Sequence, residues 1–288
     1  MGEPIPTRAQ MPTPTPAPIA TRHRLLADFA AAVAFLTLLP VAGSTTSGQE
    51  ARPVGWYPWV GWVLGLLVAV PLWVVLRVGG PLNATGSLLA GALVVGSWAV
   101  LTRFLHWDGL ADATDGLWGG STPARRLEIM RDSHVGSFGT TAIVMAALLQ
   151  VASVSAVVSR GALWVLVVAP VAGRAAVSAA AWQLPAARRD GLGLTAMERP
   201  GRYDVGVALC AVLGLALTIV GTVGPAGAPV AWFLLTGRMV LVLAAGVAAA
   251  LIVPRVLAEP VGGMTGDLFG ATLLLVETAV LVVAALAA

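Results

Sequence analysis

Seven stretches of this chain, 56–77, 85–105, 138–158, 162–183, 204–223, 239–257 and 268–287, are long, apolar and almost free of charge. A helix that crosses a bilayer needs about 20 such residues. The runs are unbroken rather than alternating, which argues against the strands of a membrane barrel. Only 11% of the 288 residues are charged and the mean hydropathy is +0.87. That is too little polar surface to coat a water-soluble globule, for which about 25% is usual. The expected fold is therefore all-α: a polytopic helical membrane protein with about seven spanning helices in one domain, 22–288. Pro71 and Pro170 fall inside spans and are expected to kink them.

Residues 1–21, rich in Pro and Thr, read as a disordered tail. The first long apolar run begins only near Leu25, which argues against a cleaved signal peptide. The segment 25–41 is short, carries Asp28 and stops at Pro40. All 17 basic residues are arginine. If 25–41 does not span, one face gathers most of them, among them Arg22, Arg24, Arg125, Arg126, Arg131, Arg188 and Arg189. Arg77, Arg160 and Arg238 stay on the other. Positive loops mark the cytoplasmic side, so this bias favours a non-spanning first segment. It also places the polar loops 106–137, 184–203 and 255–267 in the cytoplasm. The net charge of +3 follows from the same loops, and no nucleic-acid partner is expected. The single cysteine, Cys210, reads as a small buried hydrophobe.

Five of the 14 acidic residues lie between Asp108 and Asp132. Asp108, Asp112 and Asp115 in "LHWDGLADATDGLWGG" are spaced i, i+4, i+7. On a helix they share a face about 60° wide. Carboxylates so close repel, and arginine pairing or a divalent cation is needed to compensate. Oxygen donors suit a hard ion such as Mg²⁺, and no Cys/His cluster suggests zinc. A solvated loop or a helix cap is the alternative. His106 reads as a ligand, a base or an interfacial residue. Gly109, Gly116, Gly119 and Gly120 weaken a regular helix and allow close backbone approach.

Further polar residues stand out. Arg131 could grip phosphate or pair locally with Glu128. Arg174 sits inside a span, where a charge points to function. "LPAARRDGLG" brings Arg188 and Arg189 between glycines, as a phosphate site or a membrane anchor. "GGMTGDLFGA" places Thr265 and Asp267 at the start of the last span, where Asp267 could cap the helix or the glycines could admit a phosphate. Glu277 lies within that span and needs a partner.

Together, "FLTLLPV", "WYPWVGWVLG", "LHWDGLADATDG", "LEIMRDSHVGSFG", "APVAGRAA", "ARRDGLG" and "GGMTGDLFGA" resemble the cobalamin synthase family, the adenosylcobinamide-GDP ribazoletransferases. The pieces occur in family order from about Phe35 to the C-terminus. His134 stands where that family has arginine or lysine, and Leu274 replaces the first of two glutamates, leaving Glu277 without an assigned role. Glu259 stands near the place of a basic residue. The resemblance implies transfer of a substituted phosphate from adenosylcobinamide-GDP to α-ribazole or its 5′-phosphate, with GMP released and Mg²⁺ as cofactor. It implies metal binding by Asp108, Asp112, Asp115 and Asp132. Catalysis would fall to Asp108, Asp112, Asp115 or His106, and substrate or phosphate binding to Arg131, Ser133, Arg174, Arg188, Arg189 and Asp267. A homo-oligomer is compatible with it. Two rivals remain at this point. A CDP-alcohol phosphotransferase would place an arginine where Asp112 stands. An ion-coupled transporter would place its polar groups at mid-membrane.

Overall fold

The computed structural model describes residues 21–41, 53–188, 201–222 and 229–287. The Pro-rich tail up to residue 20 and Arg189 lie outside the described residues. The helices are α1 (Thr21–Leu36), α2 (Tyr57–Gly79), α3 (Ala84–Leu101), α4 (Leu105–Gly119), α5 (Pro123–Ile129), α6 (Ser137–Ser159), α7 (Val165–Gln183), α8 (Arg202–Thr222), α9 (Pro229–Ala258) and α10 (Gly266–Ala287). Short 3₁₀ turns, Pro53–Trp56 and Glu259–Val261, precede α2 and follow α9. Among the described residues no strand forms, and one isolated bridge pairs Ala186 with Met264.

Among the described residues six helices are long and apolar enough to cross a membrane: α2, α3, α6, α7, α9 and α10. The seventh expected run is the helix α8, whose described apolar part is Asp204–Gly214. The chain is a polytopic helical membrane protein. In α1 the apolar part is only Leu25–Leu36, well short of a span. Phe29 packs on Trp56 and Phe35 on Tyr57. These two phenylalanines are about 9 Å apart along a helix axis, yet they meet adjacent residues. So α1 crosses the start of α2 instead of running beside it.

In α7 and α10, 72% of the spanning window is buried, against 17–39% for the other spans. These two helices therefore form the centre, and leucines such as Leu166, Leu273 and Leu281 are wholly enclosed there. The outer helices expose Leu89, Leu93, Leu148 and Val240, as lipid-facing surfaces require. Cys210 also lies exposed, on α8, and not in the core as expected. In a bilayer that outer face is as apolar as an interior, so the apolar run around Cys210 did not distinguish the two.

Hydrophobic collapse does not drive packing between helices in lipid; close backbone contact does. Here glycine supplies it. A Cβ at Gly61 or Gly65 would meet the α7 backbone at 2.6 Å, one at Gly91 the α6 carbonyl of Val151 at 2.6 Å, and one at Gly173 the α10 carbonyl of Leu273 at 2.7 Å.

The segment 106–137, expected as a loop, is mostly helix. α3 ends at Leu101, and Arg103 and Phe104 then take left-handed backbone angles (φ 55° and 57°). Such angles are costly for residues with a Cβ. They redirect the chain into α4. The Arg103 guanidinium donates to the carbonyls of Ala34 (3.0 Å) and Thr37 (2.7 Å), tying the turn to the end of α1.

Candidate active site

α4 is the site's platform, and its tolerance of glycine has a packing cause. The backbones of Gly109 and Gly270 meet where α4 crosses α10, and a Cβ at Gly109 would lie 2.9 Å from the Asp267 carbonyl. Gly116 receives the Met130 side chain at the end of α5. Arg126 fastens α5 by donating to Gly120 O (3.0 Å) and Pro260 O (2.8 Å). These glycines therefore admit neighbouring helices; the close ligand approach suggested by the sequence is not what fills them.

Asp108, Asp112 and Asp115 do share a helical face, and they descend into the protein. Asp108 is exposed, Asp112 half-buried and Asp115 buried. The Asp112 carboxyl is pushed up to about 7, first by burial, then by the charges of Asp108, Asp267 and Asp115, with Arg188 opposing. Among the described residues, the charges of Asp108, Asp267 and Asp115 thus oppose ionisation of Asp112 while Arg188 favours it. Asp115 is spoken for: Oδ2 accepts from Gly136 N (2.7 Å) and Oδ1 from Gly139 N (2.9 Å). Asp132, expected beside them, has His134 and Arg125 as its neighbours instead. It is exposed, pairs with His134 Nδ1 at 2.6 Å, and is held below the usual carboxylate range by that bond. Arg131 and Ser133 are exposed on the same short connection. Arg125 pairs with Glu128 at 2.8 Å on the surface.

A second arm reaches α4 from the 184–188 segment. Met264 N donates to Pro185 O (2.8 Å) and Ala187 N to Met264 O (2.9 Å). This clasp needs glycine at 262 (φ 81°) and at 263, where a Cβ would lie 2.6 Å from Pro185 O. It delivers Arg188, whose Nη2 donates to Asp267 Oδ2 at 2.7 Å. The cap of α10 is Thr265 rather than Asp267: Leu268 N donates to Thr265 Oγ1 at 3.2 Å. Asp267 is left to face Arg188 and the α4 aspartates.

Two expected site residues lie deeper. Arg174 is buried in the core, where Nη1 donates to Pro170 O (3.0 Å) and to Glu277 Oε2 (3.4 Å), so its partner is a carboxylate of α10 and not a phosphate. His106 is buried beside it. Burial, with Arg174 adding, lowers the imidazole to about 3, so it is neutral at physiological pH and cannot act there as a cationic acid. Nearby, Gln150 Nε2 donates to Thr278 Oγ1 at 2.9 Å between α6 and α10. Sequence reading did not pair Arg174 with Glu277, nor Asp115 with Gly136 and Gly139. The need of Glu277 for a partner was its signal for the first; the two glycines in "HVGSFG" were the available signal for the second.

Among the described residues, no three His, Cys, Asp or Glu side chains form a ready metal-holding group. The charge balance nevertheless fits a hard cation. Asp112 is crowded by three other carboxylates, and Asp108 is exposed beside it.

The profile of the family described as cobalamin-5-phosphate synthase matches residues 28–285. The chain is 40% identical over 263 residues to a protein named adenosylcobinamide-GDP ribazoletransferase from Syntrophobacter fumaroxidans, covering 89% of this chain and 97% of that one. It is 37% identical to one of the same name from Bradyrhizobium diazoefficiens, covering 92% and 95%. For one from Brucella ovis the identity is 33%, covering 87% and 93%. No solved structure matches.

Proposed function

The chain belongs to the cobalamin-5-phosphate synthase family, and on that premise we propose that it joins adenosylcobinamide-GDP to α-ribazole or its 5′-phosphate. The products are adenosylcobalamin or its 5′-phosphate, and GMP. A ribazole hydroxyl forms a bond to the phosphorus attached to cobinamide, the bond to the GMP oxygen breaks, and the hydroxyl proton leaves to a base. The observation that carries this reading is the crowded face of Asp108, Asp112 and Asp267 with Arg188 beside it. Phosphoryl transfer asks for positioning and charge neutralisation more than covalent chemistry, and this face offers both.

Asp112 is the candidate base, since a carboxyl near 7 can both hold and release a proton at working pH. Arg188, held at the clasp, would turn from Asp267 toward the diphosphate, as a planar guanidinium suits. Arg131 and Ser133, exposed on the connection between α5 and α6, would contact the same group. Asp108 and Asp267, whose charges act on one another beside Asp112, would hold Mg²⁺ and leave Asp112 to carry the proton. The ion, when bound, supplies the positive charge that the diphosphate and the carboxylates both lack. The arginine bias supports a site facing the cytoplasm of the cell membrane.

Membrane vesicles test the reaction and its orientation together. Inverted vesicles, whose cytoplasmic face points outward, should release GMP from added adenosylcobinamide-GDP and α-ribazole, and a chelator should stop the release. Right-side-out vesicles should release none. Asp112→Asn should lower release at least ~100-fold, the usual worth of a positioned base. Undiminished release in Asp112→Asn would remove it from the mechanism.

A further inference from the structure

Asp115 differs from its two companions on α4. Both of its oxygens accept backbone N–H groups, Oδ2 from Gly136 at 2.7 Å and Oδ1 from Gly139 at 2.9 Å. Its side chain is only 9% exposed. Gly136 and Gly139 flank the start of α6, where backbone N–H groups lack helical partners. The carboxylate thus caps a helix that begins 22 residues further along the chain. The fit is tight: a Cβ on either glycine would run into an Asp115 oxygen, and one on Gly139 would also lie 2.9 Å from Ala111 O. The connection between α5 and α6 is pinned at its other end by Met130, buried against Gly116. Five exposed residues, Arg131 to Val135, hang between these two fixings, both of which are on α4.

We propose that Asp115 is a positioning residue, anchoring the start of α6 to α4 and thereby fixing the connection that carries Arg131 and Ser133. The role given to Arg131 and Ser133 rests on the proposed transferase reaction; the anchor itself does not. Asp115 neither holds the metal nor moves the proton.

The test compares wild type, Asp115→Asn and Gly139→Ala in detergent-solubilised full-length protein. Asparagine keeps one acceptor oxygen and so loosens the anchor without emptying it. Alanine at 139 displaces the carboxylate while leaving every acidic residue in place. Both variants should raise deuterium uptake in 131–139 and leave 105–112 unchanged. Both should raise KM for adenosylcobinamide-GDP roughly tenfold, the scale of one charge-assisted hydrogen bond, with the half-saturating Mg²⁺ concentration unmoved. A tenfold rise in the Mg²⁺ requirement with unchanged KM would overturn the proposal and make Asp115 a ligand. Unchanged uptake in both variants would overturn it as well. Raised uptake together with no GMP release from the wild type supports the anchor and overturns only the reading of function.

Discussion

The arginine–carboxylate pair at the start of α10 and the one ten residues further along it share a chemistry and differ in surroundings. Arg188 and Asp267 meet at 2.7 Å with side chains 17% and 22% exposed. Arg174 and Glu277 meet at 3.4 Å with 2% and 5% exposed, and Arg174 Nε has no partner. A buried pair is locked, because parting it strands a charge in a medium that cannot solvate it. A partly exposed pair can exchange one partner for another anion, since water shares the cost of separation. In the proposed reaction it is therefore depth, not residue type, that would divide support from recognition.

The largest expected effect tests the deep pair. Arg174→Ala should destabilise the protein by about 3–5 kcal/mol, because Glu277 is left buried and alone. Thermal unfolding in detergent measures this. Arg174→Met with Glu277→Leu should restore most of the stability and keep GMP release. A stable double variant without activity would return Arg174 to the substrate and erase the distinction.

The outer pair should behave the opposite way. Arg188→Ala should lower kcat/KM for adenosylcobinamide-GDP by ~10–100-fold, the worth of a hydrogen bond to a charged group. Its melting temperature should shift little, as pairs near the surface contribute about 1 kcal/mol or less. A melting shift as large as that of Arg174→Ala would make the two pairs alike.

The smallest effect sharpens the contrast from α4. Asp112 is raised to about 7 in the folded protein, against an ordinary value of 3.8. The unfolded chain therefore releases this proton first as pH rises, and folding stability falls between about pH 4 and pH 7. Asp112→Asn removes that penalty. It should melt above wild type by an amount that grows from pH 4 to pH 7 and then levels off. A variant that melts below wild type at pH 8 would show that the charge at 112 is already neutralised in the resting protein.

The parts of this molecule legible in its sequence are those fixed by local pattern. Apolar runs of spanning length gave the bundle, and the i, i+4, i+7 spacing put Asp108, Asp112 and Asp115 on one face. What escaped depends on partners distant in the chain. The segment holding α4 was expected as part of a polar loop between spans, with four glycines weakening a regular helix. It is held instead by Gly270 and Met130, which its own sequence does not display. Thr265 displaced Asp267 as the cap by two residues, within the ambiguity of any helix start. Glu277 announced a need for a partner, but Arg174 lies 103 residues away.

The turn at Arg103 and Phe104 gives the first helix a meaning that its length concealed. The apolar part of α1 is only Leu25–Leu36, yet the last carbonyls of α1 receive the Arg103 guanidinium. That bond restrains the left-handed backbone from which α4 departs. The segment before the bundle is thus a latch on the turn that sets the direction of α4.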